Sequence, residues 1–154
     1  MSEKVNITCN IKNLSGNILT VYDSNLDAGK FQTNPIQVED ETIGEFKASG
    51  RKGSANGTHG YVTYQAFDGT LFTINFYIRW GTKANSISSS VTTDNGIGNP
   101  SHFNFYRTAS DYVTKETDGD PGESPVVVYY YLAKRDDLLK TKKEKNGREH
   151  KHNL

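Results

Sequence analysis

Apolar residues recur at every second position in short runs along this chain, and that spacing constrains its fold more than any other feature. In "VNITCNI", Val5, Ile7, Cys9 and Ile11 fall on one face. In "LFTINFYI", Phe72, Ile74, Phe76 and Ile78 do the same, while Thr73, Asn75 and Tyr77 point the other way. A strand sends successive side chains to opposite faces, so each run reads as a half-buried strand. "NLSGN" supplies a turn after the first run and "ILTVYD" returns as a second, which predicts an opening hairpin. "NLDAGKFQTNP" is turn-rich, and "IQVEDETIGEFKA" holds one or two strands. "SGRKGSANGTHG" reads as a glycine-rich loop, and "YVTYQAF" followed by "DGT" opens a strong hairpin with "LFTINFYI".

"NSISSSV" is a polar-faced strand, "DNGIGNPS" a turn, and "HFNFYR" a strand with Phe103 and Phe105 inward. "TKETDGDPGESP" is a loop before "VVVYYYLAK", the most hydrophobic strand of the chain. Eight or more short strands with turn signals between them predict an all-β, single-domain antiparallel β-sandwich over residues 1–134. Tyr129, Tyr130 and Tyr131 would alternate faces, leaving at least one side exposed for edge packing, a contact between copies in a homo-oligomer, or a ligand. Residues 135–154 change character: "RDDLLKTKKEKNGREHKHNL" is charged, lacks aromatics and reads as a solvated tail, with a short helix around "DDLLKTKKEK" as the alternative.

Composition closes several functional classes. Eighteen Lys and Arg balance eighteen Asp and Glu, so no bulk field draws the chain to nucleic acid, and any attraction to a membrane must be local. The one cysteine, Cys9, excludes an intramolecular disulfide and sits on the apolar face of the first strand, where a buried structural thiol is the expected reading. "MSEKVNITCNIKNL" alternates instead of presenting a continuous apolar stretch, so no secretory signal is expected. Synthesis in the cytoplasm is the expectation, with any release by another route. No run approaches the roughly 20 apolar residues of a membrane-spanning helix.

Catalysis needs an acid, base or nucleophile in mutual reach, and the sequence offers no credible set, so an enzyme is not expected. His59 lies in the glycine-rich loop, His102 at a strand start, and His150 and His152 in the tail. "GRKGSANGTHG" lacks the Gly-Lys-Ser/Thr ending of a phosphate-binding loop and precedes a strand. "DGDPGE", with Asp118, Asp120 and Glu123, has oxygen-rich side chains but no EF-hand spacing and reads as a solvated turn. "HKH" is a weak metal signal in a tail, and "NIT", "NLS" and "NGT" carry little weight as glycosylation acceptors without a signal peptide. No cofactor and no metal are expected. What remains is a binding surface of Tyr, Trp and Arg. Trp80, the only tryptophan, stands where the alternation of "LFTINFYI" stops. It reads either as a plug at the end of the core or as an interfacial contact, since an amphipathic ring suits headgroup depth.

Three stretches carry a family resemblance. "ASGRKGSANGTHG", Ala48 to Gly60, resembles the "CGR…GTTG" loop of the aegerolysins. "FYIRWGTKANSISSSV" resembles their "HWDCPWGSKTN" segment, with Trp80, Gly81, Lys83 and Asn85 on matching positions. "NLDAGKF", with Gly29 and Lys30, is similar to the family's "SWGK" turn, and Asn13 falls on an Asn after the first strand. The similarity runs in order over residues 4–134. It implies a small β-sandwich without a signal peptide that recognises membrane lipid, typically sphingomyelin with cholesterol or ceramide phosphoethanolamine. It further implies a larger partner with a membrane-attack-complex/perforin domain that forms the pore, in pairs of which several bacterial ones are insecticidal. On that resemblance Trp80, Arg79, Tyr77, Lys83, Lys30 and Asn56 are the lipid-binding residues, with an Arg or Lys donor on the headgroup phosphate.

The chain departs from the family pattern at identifiable places. Ala28 stands where the family often has a lipid-facing Trp, and an early aromatic is replaced near Asn6. An acidic residue used in lipid selection falls on Asn56, and the two cysteines of the matching segments are replaced by Ser49 and the residues around Ile78. Two other readings compete. An actinoporin-like cytolysin would make its own pore, but it needs an amphipathic N-terminal helix where this chain has strand periodicity. A lectin-like carbohydrate-binding module would use the same Trp, Tyr, Asn, Asp and Arg on sugar faces.

Overall fold

A computed structural model of the chain describes residues 4–81, 83–109, 115–116 and 119–135. Asp118 and the tail beyond Arg135 lie outside the described residues. Among the described residues the strands are β1 (Asn6–Leu14), β2 (Thr20–Ala28), β3 (Lys30–Thr33), β4 (Thr42–Ser49), β5 (Thr58–Gln65), β6 (Leu71–Ile78), β7 (Ser86–Thr92), β8 (Phe103–Thr108) and β9 (Val126–Lys134). They form two sheets, one in the order β3-β4-β1-β9-β8 and the other β2-β5-β6-β7. The chain is a β-sandwich, as its alternation requires.

The inward faces are the ones the period-two pattern marks. Ile7, Cys9 and Ile11 of β1 and Phe72, Ile74, Phe76 and Ile78 of β6 are all buried. Rings knit the two layers together: Phe46 of the first sheet lies 5.8 Å from Phe76 of the second, and Phe72 meets Phe103 edge-on at 5.1 Å. An edge-to-face pair such as Phe72–Phe103 adds about 0.5–1.5 kcal/mol beyond its area burial. The β5–β6 hairpin forms in the expected register, Thr58 opposite Ile78 through Gln65 opposite Leu71.

The expected opening hairpin does not form. β1 pairs with β4 and β9, whereas β2 belongs to the other sheet and pairs with β5. Asn13 explains the crossing. Its buried amide donates to the carbonyls of Asn17 and Val38, both at 2.9 Å, while its oxygen accepts from Ser15 N at 3.0 Å and Ser15 Oγ at 2.7 Å. Leu19 then bridges Val38, so the chain leaves the first sheet instead of folding back on it.

One seam is parallel: β1 runs alongside β9, Ile7 opposite Val126, which makes the first sheet mixed. β9 therefore lies inside the sheet, consistent with its continuous apolar sequence. The segment read as turn-rich is mostly strand, with β2 reaching Ala28 and β3 starting at Lys30 around Gly29 at φ +93°. Likewise the last residues of the glycine-rich stretch, Thr58 to Gly60, belong to β5. Of the three consecutive tyrosines, Tyr130 is in the core and Tyr131 is also buried, 5.5 Å from Tyr106 on the outer face. That face offers less exposed ring than expected.

Candidate functional site

The sandwich has two ends, and the segments that carry the resemblance meet at one of them. The end of β2, Gly29 and Lys30, the 50–57 loop and the 79–85 loop all lie where β5 begins and β6 ends. Two glycines bring them close. A Cβ on Gly29 would strike the Ser49 carbonyl, and one on Gly57, at φ +70°, would strike the Ile78 carbonyl. Only a residue without a side chain permits either approach.

Trp80 stands two residues beyond the end of β6 and is 45 % exposed, outside the core cluster. It is not the core plug that one sequence reading allowed. Gly81 at φ +87° turns the chain immediately after it. Asn85 holds the turn closed: its buried side chain accepts from Arg79 N at 2.7 Å and donates to Gly122 O at 2.8 Å.

Of the six expected residues, Arg79 and Tyr77 are in direct contact. The Arg79 guanidinium carbon lies 4.3 Å from the Tyr77 ring centroid, and His59 stacks on the same ring at 4.3 Å with 19° between planes. Arg79 Nε is buried with no hydrogen-bond partner among the described residues, so the ring holds this cation in place. Lys83 and Asn56 are exposed on their loops, and Lys30 is half-buried opposite Ser49. All six stand toward one end, with a ring and cations that suit an anionic, amphipathic ligand.

Two features escaped the sequence reading. On the outer face beside this end, Asp27, His59, Tyr61, Asn75, Tyr77 and Ser88 line an open cavity of about 460 Å³. The signal for it was faint, because Asp27 reaches it through an irregularity in β2 that spacing alone does not reveal. At the opposite end Phe67 is 80 % exposed on the β5–β6 turn, whose Gly69 lies against Ile97, itself 62 % exposed. Phe67 there borders a smaller cavity of about 280 Å³ shared with Phe103, His102 and Lys134. A hairpin turn bearing one aromatic looked like an ordinary tip.

Among the described residues no group of three or more His, Cys, Asp or Glu comes together as a metal site. Cys9 is buried, and burial pushes its thiol well above its ordinary value.

No protein-family model matches the chain. No curated protein matches it either. Solved structures do. The chain superposes on IP-1A from Alcaligenes faecalis with a TM-score of 0.63 at 17 % identity, covering 87 % of this chain and 94 % of that one. The RahU protein, solved in complex with a TRIS molecule, gives 0.62 at 14 % identity over 86 % and 97 %. The lipid binding protein Nakanori gives 0.59 at 12 % identity, over 84 % of this chain and 70 % of that one. At these identities the likeness establishes the architecture: the chain has the aegerolysin-like β-sandwich fold.

Proposed function

We propose that this protein is a membrane-lipid-binding module that docks through its Trp80 end, with no catalytic step. The observation that carries the reading is the exposed Trp80 beside a cation fixed on an aromatic ring, Arg79 on Tyr77. A phosphate-bearing headgroup would take hydrogen bonds from Arg79 and Lys83 while the indole sits at the acyl boundary. Lys30 and Asn56 border the same end. The described similarity to a lipid binding protein supports this reading.

Within it, the finer assignment is a sphingolipid-recognising subunit of a two-component, insecticidal pore-forming toxin. The module would dock on sphingomyelin with cholesterol or on ceramide phosphoethanolamine, at the surface of the target cell. A membrane-attack-complex/perforin protein would then supply the pore. The test is co-sedimentation with liposomes that contain or lack each lipid, scored with release of an entrapped dye. Binding without leakage is the expected result. Leakage by this protein alone would replace the docking role with that of a self-sufficient cytolysin, and absence of binding to every mixture would overturn the lipid reading.

A further inference from the structure

The outer face of a sheet is ordinarily flat, yet here it is hollowed between β2 and β7. Two devices make the walls. On one side the β2–β5 register jumps from Leu26 opposite Gly60 to Ala28 opposite His59, leaving Asp27 as an extra, unpaired residue. Such a bulge re-aims its side chain, and Asp27 lines the cavity with its carboxylate 3.9 Å from His59 Nδ1. On the other side Gly119 hydrogen-bonds both ways with Ile87 on the edge strand β7, at 2.8 and 3.0 Å, and raises a second wall.

The lining selects a chemistry. Tyr61 donates to Asp23 Oδ2 at 2.6 Å, which fixes its ring, and Tyr77 is held by His59 and Arg79. Asn75, Ser86 and Ser88 stand exposed around them with both donors and acceptors. An anion would face the Asp27 carboxylate. A metal ion would find one carboxylate and one imidazole, short of a coordination set. An organic cation would compete with Arg79, already seated on Tyr77. A neutral polyhydroxylated ring would meet no such conflict: its hydroxyls would donate to Asp27 and exchange bonds with Asn75 and the serines, while its C–H face would pack on a tyrosine.

We propose that this hollow is a saccharide-binding site for a terminal pyranose of a glycan, with Asp27 and Asn75 as the specificity-determining hydrogen-bonding groups. The glycan can be carried by a glycolipid or by a glycoprotein. The site adjoins the lipid contact and shares Tyr77 with it, but Trp80 is no part of its lining.

The test is titration of the isotope-labelled full chain with methyl glycosides of glucose, galactose, mannose and N-acetylglucosamine, read by amide chemical shifts. Saturable shifts at Asp27, His59, Asn75 and Ser88 are expected for at least one sugar. Asp27→Asn and Asn75→Ala should each weaken that binding about tenfold or more, with the rest of the spectrum unchanged. Trp80→Ala should retain the sugar response, so failure of the lipid reading leaves this one standing. Vesicles carrying a glycosylceramide, set against an immobilised glycoprotein, then identify the carrier. No shift with any glycoside, shifts that map elsewhere, or unaltered binding by both variants would overturn the proposal.

Discussion

Trp80 shows how one residue escapes the rule that governs its neighbours. Continued alternation from Phe72 through Ile78 would put position 80 inward, but β6 ends at Ile78 and Gly81 turns the chain, so the indole emerges half into solvent. That step was not legible from spacing, because a strand's parity holds only while the strand lasts. Trp80→Ala is therefore expected to change stability by under about 1 kcal/mol, as at other surface sites. Lipid binding should fall about tenfold or more, as for an aromatic hot spot. Urea denaturation and liposome co-sedimentation measure the two effects separately. Cys9 was legible as a buried thiol, and it has a consequence for pH. Burial raises its folded-state value above the ordinary 9.0, so the unfolded chain loses this proton first as pH rises. The unfolded state then binds fewer protons, and stability must fall above about pH 9. Cys9→Ala should lower stability at neutral pH through the cavity it leaves but flatten the alkaline loss, as thermal melts between neutral and alkaline pH would record.

At the scale of elements, the hydrophobic pattern identified strands far better than it identified their neighbours. β1 and β6 appear where alternation put them, and the β5–β6 hairpin has a short turn that leaves one way to pair. The supposed β1–β2 hairpin failed because Asn13 spends its side chain on the carbonyls of Asn17 and Val38, distant partners that no local motif announces. Asn13→Ala would leave several of those buried groups unpaired, and a loss of about 2–3 kcal/mol is expected in urea denaturation. Glycines supply a second contrast. Gly53 and Gly57 both have positive φ, but a Cβ at Gly53 meets open space whereas one at Gly57 meets the Ile78 carbonyl and the Arg79 backbone. Gly53→Ala should cost about 1 kcal/mol of backbone strain. Gly57→Ala should cost more and also weaken liposome binding, because relieving the clash displaces the strand end that carries Arg79 and Trp80. Equal effects of the two substitutions on binding would argue against that placement.

As a whole molecule, the sandwich presents opposite ends of different character. Trp80, Arg79 and Lys83 mark one, and Phe67 with Ile97 marks the other. The sequence made the layered architecture and the first end legible through ordered motifs, but it hid the second, since a turn's exposure is set by packing against another loop. β9 ends, at Lys134, toward the Phe67 end. Removal of residues 136–154 should accordingly leave lipid binding unchanged, and loss of binding in co-sedimentation would contradict it. Which end meets the membrane is the central claim, and the chain carries its own probe because Trp80 is its one tryptophan. The decisive measurement is the emission of Trp80 as liposomes of the binding composition are added, with and without brominated acyl chains as quenchers. A blue shift with quenching, unaffected by Phe67→Ala, is the predicted result. Sedimentation of the protein with liposomes while its emission stays unshifted and unquenched would contradict the account and turn the molecule around.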